Sequence, residues 1–71
     1  MPKVKSRQII KVAEKLGFFF ARQKGSHAIY RRIDNKRITI PIHGGQDITE
    51  DIFYQIIKDM NISRDEFMKL L

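Results

Sequence analysis

Three strand-like runs follow one another with only three or four residues between them, and that spacing constrains the fold more than any other feature of the chain. The runs are Phe18-Phe19-Phe20-Ala21-Arg22-Gln23, His27-Ala28-Ile29-Tyr30-Arg31-Arg32 and Arg37-Ile38-Thr39-Ile40-Pro41-Ile42-His43. They are rich in the aromatic and β-branched side chains that suit a pleated surface. Lys24-Gly25-Ser26 parts the first two, and its glycine supplies the positive φ of a tight turn. Asp34-Asn35-Lys36 leads into the third, where Asp and Asn tolerate the left-handed conformation. Runs joined by turns this short form an antiparallel meander with one face covered. Pro41 cannot donate to a ladder, so the third run ends at a sheet edge or beyond the pairing.

Period two sorts each run into two faces. Phe18, Phe20 and Arg22 fall opposite Phe19, Ala21 and Gln23. His27, Ile29 and Arg31 fall opposite Ala28, Tyr30 and Arg32, and Ile38, Ile40 and Ile42 alternate cleanly. The aromatic run is expected mainly in the core, although one face must hold at least one exposed Phe.

Helical periodicity flanks the strands. Ile9, Val12, Ala13 and Leu16 recur at helical spacing between a candidate N-cap, Ser6, and a candidate stop, Gly17. After His43-Gly44-Gly45-Gln46, Asp47 and Glu50 have the form of a capping box, and Ile52, Phe53, Ile56, Ile57 and Met60 make one apolar stripe that Asn61 ends. Ser63 and Glu66 form a second capping box, stapled by Ile62 and Phe67, and open a short helix burying Phe67, Leu70 and Leu71. The order is α-β-β-β-α with a short C-terminal helix, an α+β fold in two layers. Residues 1–71 are expected to form a single domain whose helices cover one sheet face.

Charge is distributed unevenly. Residues 1–45 carry eleven Lys or Arg against Glu14 and Asp34, a net +9, whereas residues 46–71 carry three against six acids, a net −3. A basic front segment attracts polyanions. The chain has no cysteine, so disulfide and thiolate-zinc frameworks are excluded. It has neither an apolar run of bilayer length nor a signal-peptide core, and a cytoplasmic location is expected.

Most enzyme templates fail. No Gly-rich phosphate loop, paired helical histidines, cysteine nucleophile or carboxylate pair near a histidine is present. Histidine with lysine and arginine remains. That set suits RNA cleavage, because RNA carries its own nucleophile in the 2′-hydroxyl. The reaction needs a base, a positive field for the crowded phosphorane, and a proton for the leaving oxygen. Histidine changes protonation near neutral pH and serves as a base without metal. His27, held at the turn exit, is the candidate catalyst, and Arg22 and Lys24 supply the field. Ser26, Lys5 and Arg31 are further candidate RNA contacts. His43 is either a second proton donor or a residue that holds substrate.

Gly17-Phe18, Arg22-Gln23-Lys24-Gly25-Ser26-His27, Ile40-Pro41-Ile42-His43, Ile56-Ile57-Lys58 and Asn61-Ile62-Ser63 with Glu66-Phe67 together resemble the HicA-type (YcfA-like) toxins of bacterial toxin-antitoxin systems. The resemblance runs from about Ser6 to Leu71. It implies a double-stranded-RNA-binding-like fold, ribosome-independent cleavage of mRNA, and a catalytic histidine at His27, and no cofactor is expected. It also implies neutralisation by a cognate HicB-type antitoxin, with DNA reached only indirectly through the antitoxin complex. One departure stands at the second helix, where relatives commonly show Gly-Thr-Leu and this chain has Asp51-Ile52-Phe53.

Two other classes of function fit the same residues. A noncatalytic RNA-binding module would use the basic segment alone. An interaction protein would use the uncovered sheet face, expected to carry Ala28, Tyr30 and one Phe.

Overall fold

The computed structural model describes residues 4–42 and 47–71. Its elements in chain order are β1 (Val4–Lys5), α1 (Ser6–Lys15), β2 (Phe19–Lys24), β3 (His27–Arg31), β4 (Arg37–Pro41), β5 (Asp47–Ile48), α2 (Glu50–Met60) and α3 (Arg64–Leu70). Strands β2, β3 and β4 form one antiparallel sheet in that order. The expected α+β meander is therefore present, with two short strands added to it.

Helix α1 forms because Ile9, Val12 and Ala13 share one stripe and are buried. Its N-cap is Lys5 rather than Ser6: the Lys5 N–H donates to Gln8 Oε1 at 2.8 Å, while the Ser6 hydroxyl donates to the Pro41 carbonyl at 2.7 Å. Gly17 ends the helix at φ 93°, with Gly17 N–H donating to Glu14 O and Phe18 N–H to Ala13 O. This closes the orphan carbonyls in a Schellman motif and drops Phe18 into the core. Helix α2 ends the same way through Asn61 at φ 63°, with Asn61 N–H donating to Lys58 O and Ile62 N–H to Ile57 O.

The core lies between the helices and the inner sheet face. Phe53, Ile56, Ile57 and Met60 of α2 form one buried cluster with Ile38 and Ile40 of β4 and Ala28 and Tyr30 of β3. Phe67 of α3 closes the layer, edge-to-face with Phe53 at 4.9 Å between ring centroids. The Ser63–Glu66 capping box is formed in both directions, each bond 3.1 Å. A further tie runs from the Lys15 ammonium to the Leu70 carbonyl, 2.6 Å.

Several expectations need correction. Asp47 is not the N-cap of α2: it lies in β5 opposite Lys5 of β1, with a 3.0 Å ion pair between them, and Thr49 holds that place. Two-residue strands carry no periodicity, so this clip leaves no trace in the apolar pattern. Ile52 and Leu71 are exposed: Ile52 lies at the margin of the buried stripe of α2, and Leu71 follows the last residue of α3. Ala28 and Tyr30 lie on the covered face, so the uncovered face is not the one expected to carry them.

The aromatic run departs further. Only Phe18 is buried; Phe19 and Phe20 are 50% and 54% exposed, because both helices pack over β4 and leave β2 at the far edge. The register also shifts between Phe20 and Arg22, leaving Ala21 as a bulge residue. A bulge changes which residues share a face. Arg22 therefore shares its face with Phe19 and not with Phe20, contrary to simple alternation.

Among the described residues no helix is long and apolar enough to cross a membrane.

Candidate nucleic-acid interface

The site begins at a two-residue turn. Gly25 has φ 59° while Ser26 stays at negative φ, the sign pattern of a type II′ hairpin, and Gln23 Nε2 donates to the Gly25 carbonyl at 3.1 Å. Lys24 and His27 are the residues this turn sets opposite each other. His27 is paired on its other side with Pro41, whose carbonyl holds the Ser6 hydroxyl, and Ser26 O accepts the Ile42 N–H at 2.6 Å. The backbone beneath His27 is thus tied to β2, β4 and the start of α1. The side chain itself is exposed on the face away from the helices.

Cross-strand register then lays out that open face in rows. The first is Lys24, His27 and Pro41; the second is Arg22, Ile29 and Thr39; the third is Phe19, Arg31 and Arg37. Successive rows are about 7 Å apart, two residues of antiparallel strand. None of the eight acidic residues lies on β2, β3 or β4. Among the described residues, Arg22, Lys24, Arg31 and Arg37 have no ion-pair partner. Four cations without a carboxylate among them create a positive field across one sheet face, with the imidazole at one end of it.

Two neighbouring cations serve the frame instead. Arg32 donates to both carboxylate oxygens of Asp34 at 3.0 Å and to the Leu16 carbonyl at 3.2 Å, and its guanidinium stands 4.7 Å from the Phe18 ring centroid. It pins the β3–β4 turn onto the end of α1. Its hydrogen bonds hold the Asp34 carboxyl below the usual range. Lys5, expected at the RNA, sits at the start of α1 with its ammonium on Asp47. It adjoins the His27 end of the sheet through Ser6 and Pro41 but belongs to none of the rows.

The structure brings Arg22, Lys24, His27 and Arg31 onto one face and leaves Ser26 exposed in the adjoining turn. His43 lies outside the described residues. Arg37 and Phe19 were not anticipated. Arg37 was readable, since it shares parity with Thr39 against the buried Ile38 and Ile40, but its place beside Arg31 needed the register. Phe19 was hidden by the bulge.

A groove between α2 and α3, lined by Tyr54, Ile57, Asn61 and Ile62 among others, includes no residue of the three rows. The Asp51-Ile52-Phe53 departure also resolves into separate roles. Phe53 is a core residue packed on Phe67, while Asp51 and Ile52 face solvent.

Residues 6–62 match the model of a family described as the HicA toxin of bacterial toxin-antitoxin. No curated protein matches the chain.

Proposed function

The chain belongs to the HicA toxin family and is a toxin of a toxin-antitoxin pair, and from that premise we propose that it is an endoribonuclease that cuts mRNA at His27. The observation that carries this reading is the first row of the open face. His27 stands directly across from Lys24, one row from Arg22, on strands that hold no acid.

The chemistry follows from those positions. A substrate phosphate drawn to Lys24 and Arg22 lies beside the imidazole. His27 takes the proton of the adjacent 2′-hydroxyl, and that oxygen forms the new bond to phosphorus. Lys24 and Arg22 offset the charge that gathers on the phosphorane oxygens. The bond from phosphorus to the 5′-oxygen breaks, and the leaving oxygen takes a proton from water at this exposed face. The products are a 2′,3′-cyclic phosphate and a 5′-hydroxyl end, and the proton on His27 returns to solvent.

The antitoxin partner is proposed to be of the HicB type and to silence the toxin by covering this row, so that DNA is reached only through the complex. A toxin cutting mRNA halts translation and growth until it is covered.

The test is incubation of a long single-stranded RNA with the purified protein and with His27→Ala, in EDTA, with the 3′ ends examined. Cutting by the parent protein, slowed by about 10²–10⁴-fold in the variant, is expected from loss of a general acid-base group. Equal cutting by His27→Ala, or cutting at a nucleotide lacking its 2′-hydroxyl, rules the mechanism out. RNA bound but intact in both tubes selects the noncatalytic module.

A further inference from the structure

We propose that Phe19, followed in its row by Arg31 and then Arg37, is a base-stacking platform for single-stranded RNA, set about two nucleotides from the bond at His27. This deepens the ribonuclease reading above and rests on it for the direction of the strand.

A half-exposed phenyl ring on a sheet is unfavourable in water. Phe20 lies on the opposite face of the strand, edge-to-face on Tyr30 at 5.8 Å between centroids, and is itself 54% exposed. The bulge at Ala21 keeps Phe19 on the outer side with Arg22, so an aromatic and a cation share the face that carries His27. Beyond Phe19 in the same row come Arg31 and then Arg37, both exposed and without an acidic partner among the described residues.

A flat aromatic surface beside unopposed guanidinium groups fits a ligand with both a π-face and a phosphate. Bases of any kind stack on such a ring, while the phosphates meet the arginines. The combination selects an unpaired strand: in an A-form duplex the bases are stacked on one another, and only edges and 2′-hydroxyls are accessible. A protein partner lacks this reason to meet two bare arginines in line with one phenyl ring.

The spacing is also suitable. The Phe19 row lies two rows from His27, about 13 Å along the sheet. An unstacked strand advances up to about twice the 3.4 Å stacked rise per nucleotide, which makes the span about two nucleotides.

The experiment uses the full chain carrying His27→Ala, so that substrate survives, and a fluorescently labelled single-stranded RNA of twelve or so nucleotides read by anisotropy. Phe19→Ala is expected to weaken binding between about fivefold and a hundredfold, the effect of losing one stacked base. Phe19→Trp restores binding, and binding of duplex RNA is unaffected. A single abasic nucleotide, moved along the strand, reproduces the loss at one position and adds nothing in Phe19→Ala. In the chain with His27 intact, Phe19→Ala raises KM with little change in kcat.

Binding within twofold of the parent in Phe19→Ala overturns the proposal. So does an equal loss on duplex RNA, or a loss seen only toward a protein partner. Phe19-dependent binding without any cutting by the intact chain upholds the platform and defeats the ribonuclease reading. Cutting that ignores Phe19 does the reverse.

Discussion

Replacing Arg22 and Lys24 together by glutamine should halve the salt dependence of RNA binding while leaving the fold intact. Both side chains are exposed on the edge strand β2 and have no ion-pair partner among the described residues, so their loss should change stability by no more than about 0.5 kcal/mol. Each phosphate neutralised on a single strand contributes about −0.7 to the slope of log K against log salt. Four cations on the open face, Arg22, Lys24, Arg31 and Arg37, then give a slope near about −2.8, and the double variant a slope near about −1.4. Between 50 and 200 mM salt the parent should lose about fiftyfold in affinity and the variant about sevenfold. Anisotropy titrations of a single-stranded RNA in the His27→Ala background, at four KCl concentrations, read the two slopes directly. Arg32→Gln is the control. Its guanidinium is held by Asp34, Leu16 and Phe18, so the slope should stay at the parent value while the melting temperature falls. An unchanged slope in the double variant, or a slope lowered as much by Arg32→Gln, would refute the assignment of the positive field to the open face.

Phe67→Ala should remove about 3–5 kcal/mol in urea denaturation, most of what a chain of 71 residues has, because the ring is fully buried against Phe53. A loss under about 1 kcal/mol would mean that α3 is not part of the cooperative core. Gly25→Ala should cost about 1–2 kcal/mol and Gly25→Asn less, since a Cβ there meets nothing within 4 Å and only the left-handed backbone objects. Burial first, and then the Glu14 carboxylate, raises the Tyr30 phenol above 10.0, so the fold keeps its proton where the unfolded chain has lost it. Stability is therefore full below pH 10.0 and falls as pH rises beyond it, and Tyr30→Phe should flatten that alkaline limb in thermal melts. Asp34 works in the opposite direction: its carboxyl, lowered from 3.8 chiefly by the Arg32 hydrogen bond, contributes above that pH and loses its contribution as pH falls, a decline that Asp34→Asn should remove.

Most roles that depend on immediate neighbours were legible in the sequence, although Ser6 and Asp47 left their expected capping places for partners on Pro41 and Lys5. Gly17, Gly25, Asn35 and Asn61 all take the positive φ that their place at a helix stop or turn demands, and Ser63 and Glu66 cap each other as their spacing requires. Ile38 and Ile40 face the core because alternation in β4 is uninterrupted. Failures came from longer-range causes. The β1–β5 clip joins residues more than forty positions apart and uses two residues on each side, too few to show a period. The aromatic run was expected mainly inside with at least one Phe exposed, and two are exposed because α1 and α2 pack over β4 and leave β2 at the far edge. Of the candidate site, the turn, His27, Lys24 and Arg22 were readable. The addition of Arg37, and the separation of Arg31 from the clamped Arg32, depended on register and on what lies at the end of α1.

Ala21 gives insertions and deletions in β2 an unusual weight. The hairpin turn fixes the phase of the strand from Lys24 backward, so removing this one residue would leave Arg22, Phe20 and Phe19 opposite Ile29, Tyr30 and Arg31, whereas pairing it into the ladder would turn Phe20 to the open face and Phe19 away from it. Composition would hardly change, and every side chain would still be suited to a strand. A chain one residue shorter here therefore keeps the same aromatic in solvent, whereas one of equal length without the bulge exchanges the two, and matching it column by column would equate side chains from opposite sides of the sheet. Divergence in this stretch is better counted by parity than by identity.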